Sequence, residues 1–484
     1  MRLMPLLGQS RLLRFAVLAG IAIALRILSF FRTVIDHDES TYLVIADMVR
    51  QGAVYWVDAI DVKPPGIFWL YALLQTLFGK AIVAMRLFAT LFIALSAFFL
   101  FETKKKLGSR FQAAWASALI YLFLNSLFTF YGVSPNTETF FGTFVAAAFW
   151  LALAFPGPIG YLSSGLLLGV GFLIKPVVLF DGLALGAFLL WDTPQSIRKI
   201  RSLALLALGF LLPFAGTYAY YHAMGHADTF LFYTFEVSSR YPVSAGWAEY
   251  LVSIVDTHLR FLPVVYFFYA ALRHPHTLAS TRRLAWIWAL AVLVPIYLPG
   301  KFFGHYFIQL FLPLSMLAGE FFALPPPAKP AFVQALLRPK IGYTLLALLV
   351  LANWFLQKKD YIDRPDAPAR VARVLQATLK PEETLYVANY HPIVYYLLDK
   401  KSPTPYLHRG LIWTPAHRYA LNIDLERELD RILATAPDAI VVQDSTDSPR
   451  LNRFLERHYR RSPLGKTERG APLYLYRRSK APND

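Results

Sequence analysis

The segment IDHDESTY places Asp36, Asp38 and Glu39 directly after an apolar run. Lys63 follows in KPPG, where two consecutive prolines fix an extended corner beside the ammonium. Further on, Glu138 lies in SPNTETFFG, Lys175 precedes a proline in GFLIKPVVLF, Glu236 and Arg240 stand four apart in LFYTFEVSSRY, and Lys301, His305 and Tyr306 gather in PGKFFGHYF. Carboxylates of this kind can take a proton from a hydroxyl, and Lys, Arg or protonated His can hold an oxyanion. Blander uses compete with these. A Glu–Arg spacing of four makes an ordinary helical ion pair, a lysine at a helix end can snorkel to the lipid surface, and Asp38 and Glu39 suit a helix N-terminus. His222 and His226, four apart at an expected helix end, join Asp38, Glu138 and Asp228 as candidate ligands of a divalent ion.

The chain that must position these groups has 484 residues, of which 56% are hydrophobic and only 16% charged, against roughly a quarter charged in soluble proteins. Disordered and collagen-like classes are thereby excluded. The absence of cysteine excludes disulfides, thiolate zinc sites and cysteine nucleophiles. Of the 79 charged residues, 38 fall in the last 128 positions, so two solvents are implied, lipid first and water second. Eleven apolar runs are long enough to suggest spans, near 14–31, 81–101, 112–131, 139–155, 160–175, 177–191, 202–221, 259–272, 284–299, 306–323 and 341–356. No small-residue cleavage site follows the first, which reads as a retained span. The expected fold class is therefore a polytopic α-helical membrane protein of about eleven transmembrane helices (residues 1–356), with amphipathic helices in a first outer loop over 32–80 and a small soluble α/β domain over 357–484. Of the 26 basic residues before position 357, 16 fall in loops on the side of the N-terminus. The rule that positive loops stay inside then puts the acidic loops and the tail outside, and the net charge of +17 reads as topology and attraction to anionic lipid. Within the first loop an amphipathic helix is expected from Ser40, capped by Ser40 or Thr41 and lying in the interface. The tail predicts strands at TLYVAN, TPYLH, AIVVQD and PLYLYRR, and helices at PIVYYLLD, DLERELDRILATA and SPRLNRFLERHY, hence a partly parallel sheet. Asp444 reads as a turn residue, and no glycine-rich phosphate loop is present. Ionisable groups are costly beside lipid unless they pair or serve a cavity, and their gathering on one face marks the candidate site.

DHDESTY, KPPG and FGKAIVAMRLFATL, in that order, resemble the GT-C membrane glycosyltransferases that take sugars from polyprenyl phosphates. These include the protein O-mannosyltransferases and the lipid A aminoarabinose transferase, with the bacterial lipopolysaccharide galacturonosyltransferase-like subgroup the most similar. The resemblance covers roughly residues 10–325 and is strongest over 36–90. SPNTETFFG matches the second acidic loop but departs from a TDT-like pattern, carrying Asn136 and Glu138 instead.

What the resemblance implies is an inverting transfer of a sugar from a polyprenyl-phosphate donor to a hydroxyl acceptor on lipopolysaccharide, another envelope glycan or a protein. Asp38 would be the general base, with Glu39 beside it. Lys63, Lys175, Arg240 and His305 would hold the donor phosphate, and Glu138, Glu236, Lys301 and Tyr306 would bind substrate; Arg86 reads as structural or lipid-bound. The scheme requires no cofactor, and a divalent metal on Asp38, Glu138, His222 or His226 is its open variant. Partners would be the lipid-linked sugar, the acceptor and membrane lipids, with no nucleic acid. The implied location is the bacterial inner membrane, multi-pass, with the site and the tail on the periplasmic face. A transporter or flippase of polyprenyl-linked sugars, or an O-antigen-ligase-like enzyme, would need a similar basic face; a transporter places its polar groups near mid-membrane. The chemistry is expected within residues 1–356, so that truncating the tail would leave it intact.

Overall fold

The computed structural model describes residues 10–127, 132–192, 196–240 and 245–479. Each of the eleven apolar runs holds a helix. Among the described residues, seven helices are long and apolar enough to cross a membrane, or eight if the pair Trp247–Arg260 and Leu262–Arg273, bent by 85°, is one span. The sequence count of about eleven is higher because three apolar helices are short for a bilayer core of roughly 30 Å: Phe111–Leu124, Pro158–Ile174 and the 15-residue Val178–Asp192. The helix Pro339–Gln357 leaves Leu345, Leu349 and Phe355 exposed, as a lipid-facing surface requires.

By contact grouping the described residues fall into two units, one drawn from Met1–Phe30, Val83–Tyr220 and Val243–Lys359, the other from Phe31–Ile82, Tyr221–Pro242 and Asp360–Asp484. The first is helical. Its buried charges are paired: Arg14 donates to Glu102 at 2.8 Å, and Lys104 reaches Glu320 at 2.9 Å while donating to the Met316 carbonyl and the Ser117 hydroxyl. The sequence Gly165-Leu-Leu-Leu-Gly169 brings Pro158–Ile174 against Ser196–Ala223 at backbone contact. A Cβ on Gly165 would collide with the Leu206 carbonyl oxygen, one on Gly169 with that of Phe210, and one on Gly209 with that of Leu162. Close approach at small residues is how helices gain packing where lipid supplies no hydrophobic drive.

The second unit contains a four-stranded mixed sheet in the order β1-β2-β4-β3. β1 (Leu385–Val387) pairs parallel with β2 (Ala439–Gln443), β2 pairs antiparallel with β4 (Pro472–Arg478), and β4 pairs antiparallel with β3 (Tyr459–Lys466). Helices Leu425–Ala434 and Pro449–His458 start at Asp424 and Ser448, whose side chains accept first-turn N–H groups. Leu429, Ile432, Leu451 and Leu455 bury against Ile440, Val442 and Tyr476. Two expectations change. TPYLH forms no strand; Tyr406 makes one bridge, to Ile60. β3 was not foreseen, since Arg460, Arg461 and Pro463 lack a strand pattern, yet a proline with a following irregularity is tolerated on an edge. Asp444, after β2, adopts φ 58°, a turn conformation.

Gly165→Ala or Gly209→Ala should destabilise the detergent-solubilised chain by about 1–3 kcal/mol through overpacking, read as a lowered melting temperature. Gly182→Ala, whose new Cβ would meet only the Leu168 side chain at 3.7 Å, should be neutral or stabilising.

Candidate functional site

In the second unit, helix His37–Arg50 begins one turn earlier than Ser40 or Thr41 capping would allow: Asp36 is the cap, and its carboxylate accepts the Asp38 N–H at 3.2 Å. The helix does not show one dry face, because Glu39 through Asp47 are all buried. Glu39 is fully enclosed, and its carboxylate accepts the Ile35 N–H at 2.9 Å, which braces the start of the helix. Asp38 meets Lys63, whose ammonium donates to its Oδ1 at 2.9 Å and lies 3.5 Å from Asp61 Oδ1 and 5.2 Å above the Tyr42 ring. Lys63, expected at a donor phosphate, is thus an ion-pair partner of the expected base.

Aromatic side chains hold the irregular loop that delivers Lys63. The Tyr55 hydroxyl lies 2.6 Å from the Lys63 carbonyl, and Trp56 Nε1–H donates to the Asp61 carbonyl at 2.9 Å. Trp56 has φ 68°, uncommon for a bulky residue. It persists because its ring stacks on Tyr233 at 5.3 Å and Tyr221 donates to the Tyr55 carbonyl at 2.9 Å.

Residues from the tail complete this cluster. His408 Nε2 stands 3.5 Å from Asp38 Oδ1. Its Nδ1 accepts the Gly410 N–H at 3.1 Å, so the neutral ring carries its proton on Nε2, toward Asp38. The His37 ring packs 4.5 Å from His408, and His37 Nδ1 lies 3.0 Å from His391 Nδ1. Burial lowers the His37 imidazole well below its ordinary value, with His408 and His391 adding to the effect. His391 is pushed down to about 3, by burial first and then by Arg409. His391 and His408, which lie beyond residues 1–356, thus flank Asp38 and its neighbour. Ser40 Oγ also accepts the Ile393 N–H at 2.9 Å, and Arg32 donates to the carbonyls of Arg364 and Pro365.

The first unit holds another cluster. Glu138 sits in the first turn of Thr137–Ala154, and Lys175 ends Pro158–Ile174 in an extended conformation that turns its ammonium onto the Glu138 carboxylate. The same ammonium lies 4.2 Å from the Tyr306 ring, which His305 meets edge-on at 4.8 Å. Glu138, Lys175, Tyr306 and Gln309, with Pro295 and Ile296, line a small open cavity. Lys301 is half-buried, and burial lowers the pKa of its ammonium.

Other expected residues stay local. Glu236 and Arg240 form the i,i+4 pair their spacing allows, at 2.8 Å, and Arg240 lies over the Phe232 ring. His222 and His226 do not share a helix face, because the helix ends at Ala223 and Gly225 turns the chain. Among the described residues, no three His, Asp or Glu side chains are placed to hold a metal ion. Arg86 is buried and donates to the Ser29 carbonyl, a structural role. Sequence reading missed Asp61, His37, His391, His408 and Gln309. The histidines of DHDES, NYHPI and YLHRG were visible, but nothing local pairs positions more than 350 apart.

The family described as dolichyl-phosphate-mannose-protein mannosyltransferase matches residues 62–220, a segment holding Lys63, Glu138 and Lys175 but not Asp38. Structures of ArnT from Cupriavidus metallidurans, one apo and one bound to undecaprenyl phosphate, superpose with a TM-score of 0.70 at 15% identity, over 95% of this chain and 97% of that one. The chain has an ArnT-like fold. The oligosaccharyltransferase AglB from Archaeoglobus fulgidus, in complex with an inhibitory peptide and a dolichol phosphate, is more distant, with a TM-score of 0.50 and 12% identity over 98% of this chain and 74% of that one. The comparison with curated proteins found no match.

Because folding depresses His37 and His391, the unfolded chain binds more protons than the native one below the ordinary imidazole value of about 6.5. Stability should therefore fall as pH drops from about 6.5 toward 3. Melting temperatures measured from pH 7.5 to 5 should decline, and His391→Asn should flatten that slope. A slope unchanged by the substitution would remove His391 as its source.

Proposed function

We propose that the chain is an inverting glycosyltransferase that moves a sugar from a polyprenyl-phosphate donor to a hydroxyl acceptor. The observation that carries this reading is the carboxylate of Asp38, held by Lys63 and flanked by His408, in a chain with an ArnT-like fold. The likeness to ArnT bound to undecaprenyl phosphate and the match to a mannosyltransferase family over residues 62–220 support the donor class.

In this scheme the acceptor hydroxyl gives its proton to Asp38 while its oxygen attacks the anomeric carbon. The bond from that carbon to the phosphate oxygen breaks, and its electron pair leaves with the lipid phosphate, so configuration inverts. The charge that grows on the phosphate calls for a fixed cation, which helps the transition state more than the bound donor; Lys63 in the second unit and Lys175 in the first are the candidates. Glu138 balances the Lys175 ammonium in the resting protein and accepts from sugar hydroxyls. Lys63 fixes the direction of the Asp38 carboxylate, and Glu39 secures the turn that presents it. These fixed cations make a metal unnecessary to the scheme.

The distribution of basic loops supports placing the site on the outer face of a bacterial inner membrane, and the notable similarity to lipopolysaccharide-modifying enzymes in the opening motifs supports an envelope glycan or glycolipid acceptor. Asp38→Asn should lower transfer by at least about 10²–10⁴-fold, the usual worth of a general base, with the chain still folded and its melting temperature lowered only modestly, since Lys63 keeps Asp61 as a partner. Mass spectrometry of envelope glycolipids beside a folding check tests this, and full transfer by the variant rejects Asp38 as base. Removal of residues 360–484 should abolish transfer, since His391 and His408 leave with them; retained transfer would return the chemistry to the remaining chain. Activity in EDTA should equal the untreated control. A loss reversed by Mg²⁺ or Mn²⁺ would show that the metal-free scheme is wrong.

A further inference from the structure

Asp181, on the helix Val178–Asp192, is 1% exposed. Burying a carboxylate in an apolar helical body is costly unless it is well bonded. Its partners are neutral: Oδ1 accepts Trp288 Nε1–H at 2.6 Å, and Oδ2 accepts Gln309 Nε2–H at 2.7 Å. Trp288 is itself fixed by stacking on Phe149 at 4.0 Å. Gln309 places its amide nitrogen also toward the Val177 carbonyl, at 3.2 Å.

These two bonds determine which way the amide points. Val177 O and the Asp181 carboxylate are both acceptors, so the nitrogen must face them and both of its hydrogens are engaged. The oxygen Oε1 is the end left for the cavity that Gln309 lines with Glu138, Lys175 and Tyr306. An amide oxygen accepts and cannot donate. Its ligand must therefore bring a hydrogen, which a phosphate dianion lacks and a sugar hydroxyl has.

We propose that Gln309 accepts a hydrogen bond from a hydroxyl of the donor's sugar ring, and that Asp181 is the positioning residue that holds the amide in the accepting orientation. This rests on the glycosyltransferase reading and assigns the cavity beside Glu138 and Lys175 to the sugar. Asp181→Asn would turn a donor toward either Trp288 or Gln309. The Gln309 nitrogen is then caught between that donor and the Val177 carbonyl, and a half-turn would set its oxygen against the same carbonyl, so neither orientation is satisfied and the accepting one is no longer held.

The test uses the full chain in detergent, titrated with undecaprenyl phosphate and with a panel of undecaprenyl-phosphate hexoses and pentoses. For the tightest sugar-bearing lipid, Gln309→Leu and Asp181→Asn should each weaken binding by about 3–10-fold, the worth of one hydrogen bond. Binding of undecaprenyl phosphate itself should stay within about twofold. Gln309→Met, of similar length and without the acceptor, carries the test if Asp181→Asn does not fold. An equal loss on both lipids, or none on either, overturns the assignment while leaving the donor class standing. If the wild-type chain binds neither lipid, or binds no sugar-bearing lipid more tightly than bare undecaprenyl phosphate, the donor reading fails and this inference with it.

Discussion

A charge removed from water must find a partner, and that constraint organises both units. An ion buried without compensation costs several kcal/mol, whereas a good pair roughly breaks even. Arg14 with Glu102, Lys104 with Glu320, Glu138 with Lys175 and Asp38 with Lys63 are all solutions to this one problem. The first two tie helices together. The other two bring a carboxylate and an ammonium to places where neighbouring aromatic rings limit water, and there the same pairing leaves reactive groups held in fixed directions.

Polar groups with such demands need rigid support, and here much of it comes from irregular backbone. The loop before Lys63 is neither helix nor strand for most of its length, yet Tyr55 and Trp56 bond the carbonyls on either side of the lysine's turn. Pro64 and Pro65 then start the helix Gly66–Phe78 with no freedom at φ. Lys80 adds a link from the far end of that helix to Asp47, at 2.8 Å, and to Asp399. Asp38 and Lys63 are thereby fixed at both ends of the segment that carries them. His37 and His391 add a packed layer in which burial and neighbouring positive charge disfavour the charged imidazole.

Much of this was legible before any coordinates. Runs of apolar residues marked the helices, although three of them proved short. The two longer helices of the expected sheet domain were placed as well, and Asp424 and Ser448 stand at their starts as caps. The acidic cluster, KPPG, Glu138, Lys175 and the His305–Tyr306 turn were singled out by residue type together with the family resemblance. Their partnerships were not. Glu39 looks equivalent to Asp38 in sequence, but only helix geometry turns one toward Ile35 and the other toward Lys63. β3 was hidden because an edge strand borrows its order from β4 and needs little pattern of its own.

By itself, then, the sequence determined what depends on local sums: which segments are apolar enough to be helices, where they start, how charge is shared between lipid-like and water-like stretches, and which side chains have reactive types. Tertiary structure alone decided which of those side chains meet. His408 reaches Asp38 across 370 positions, and the Gln309 amide is oriented by Asp181 across 128. Such contacts leave no periodic trace, because the free energy that favours them arises only when the chain has brought both desolvated groups within a few ångströms of each other.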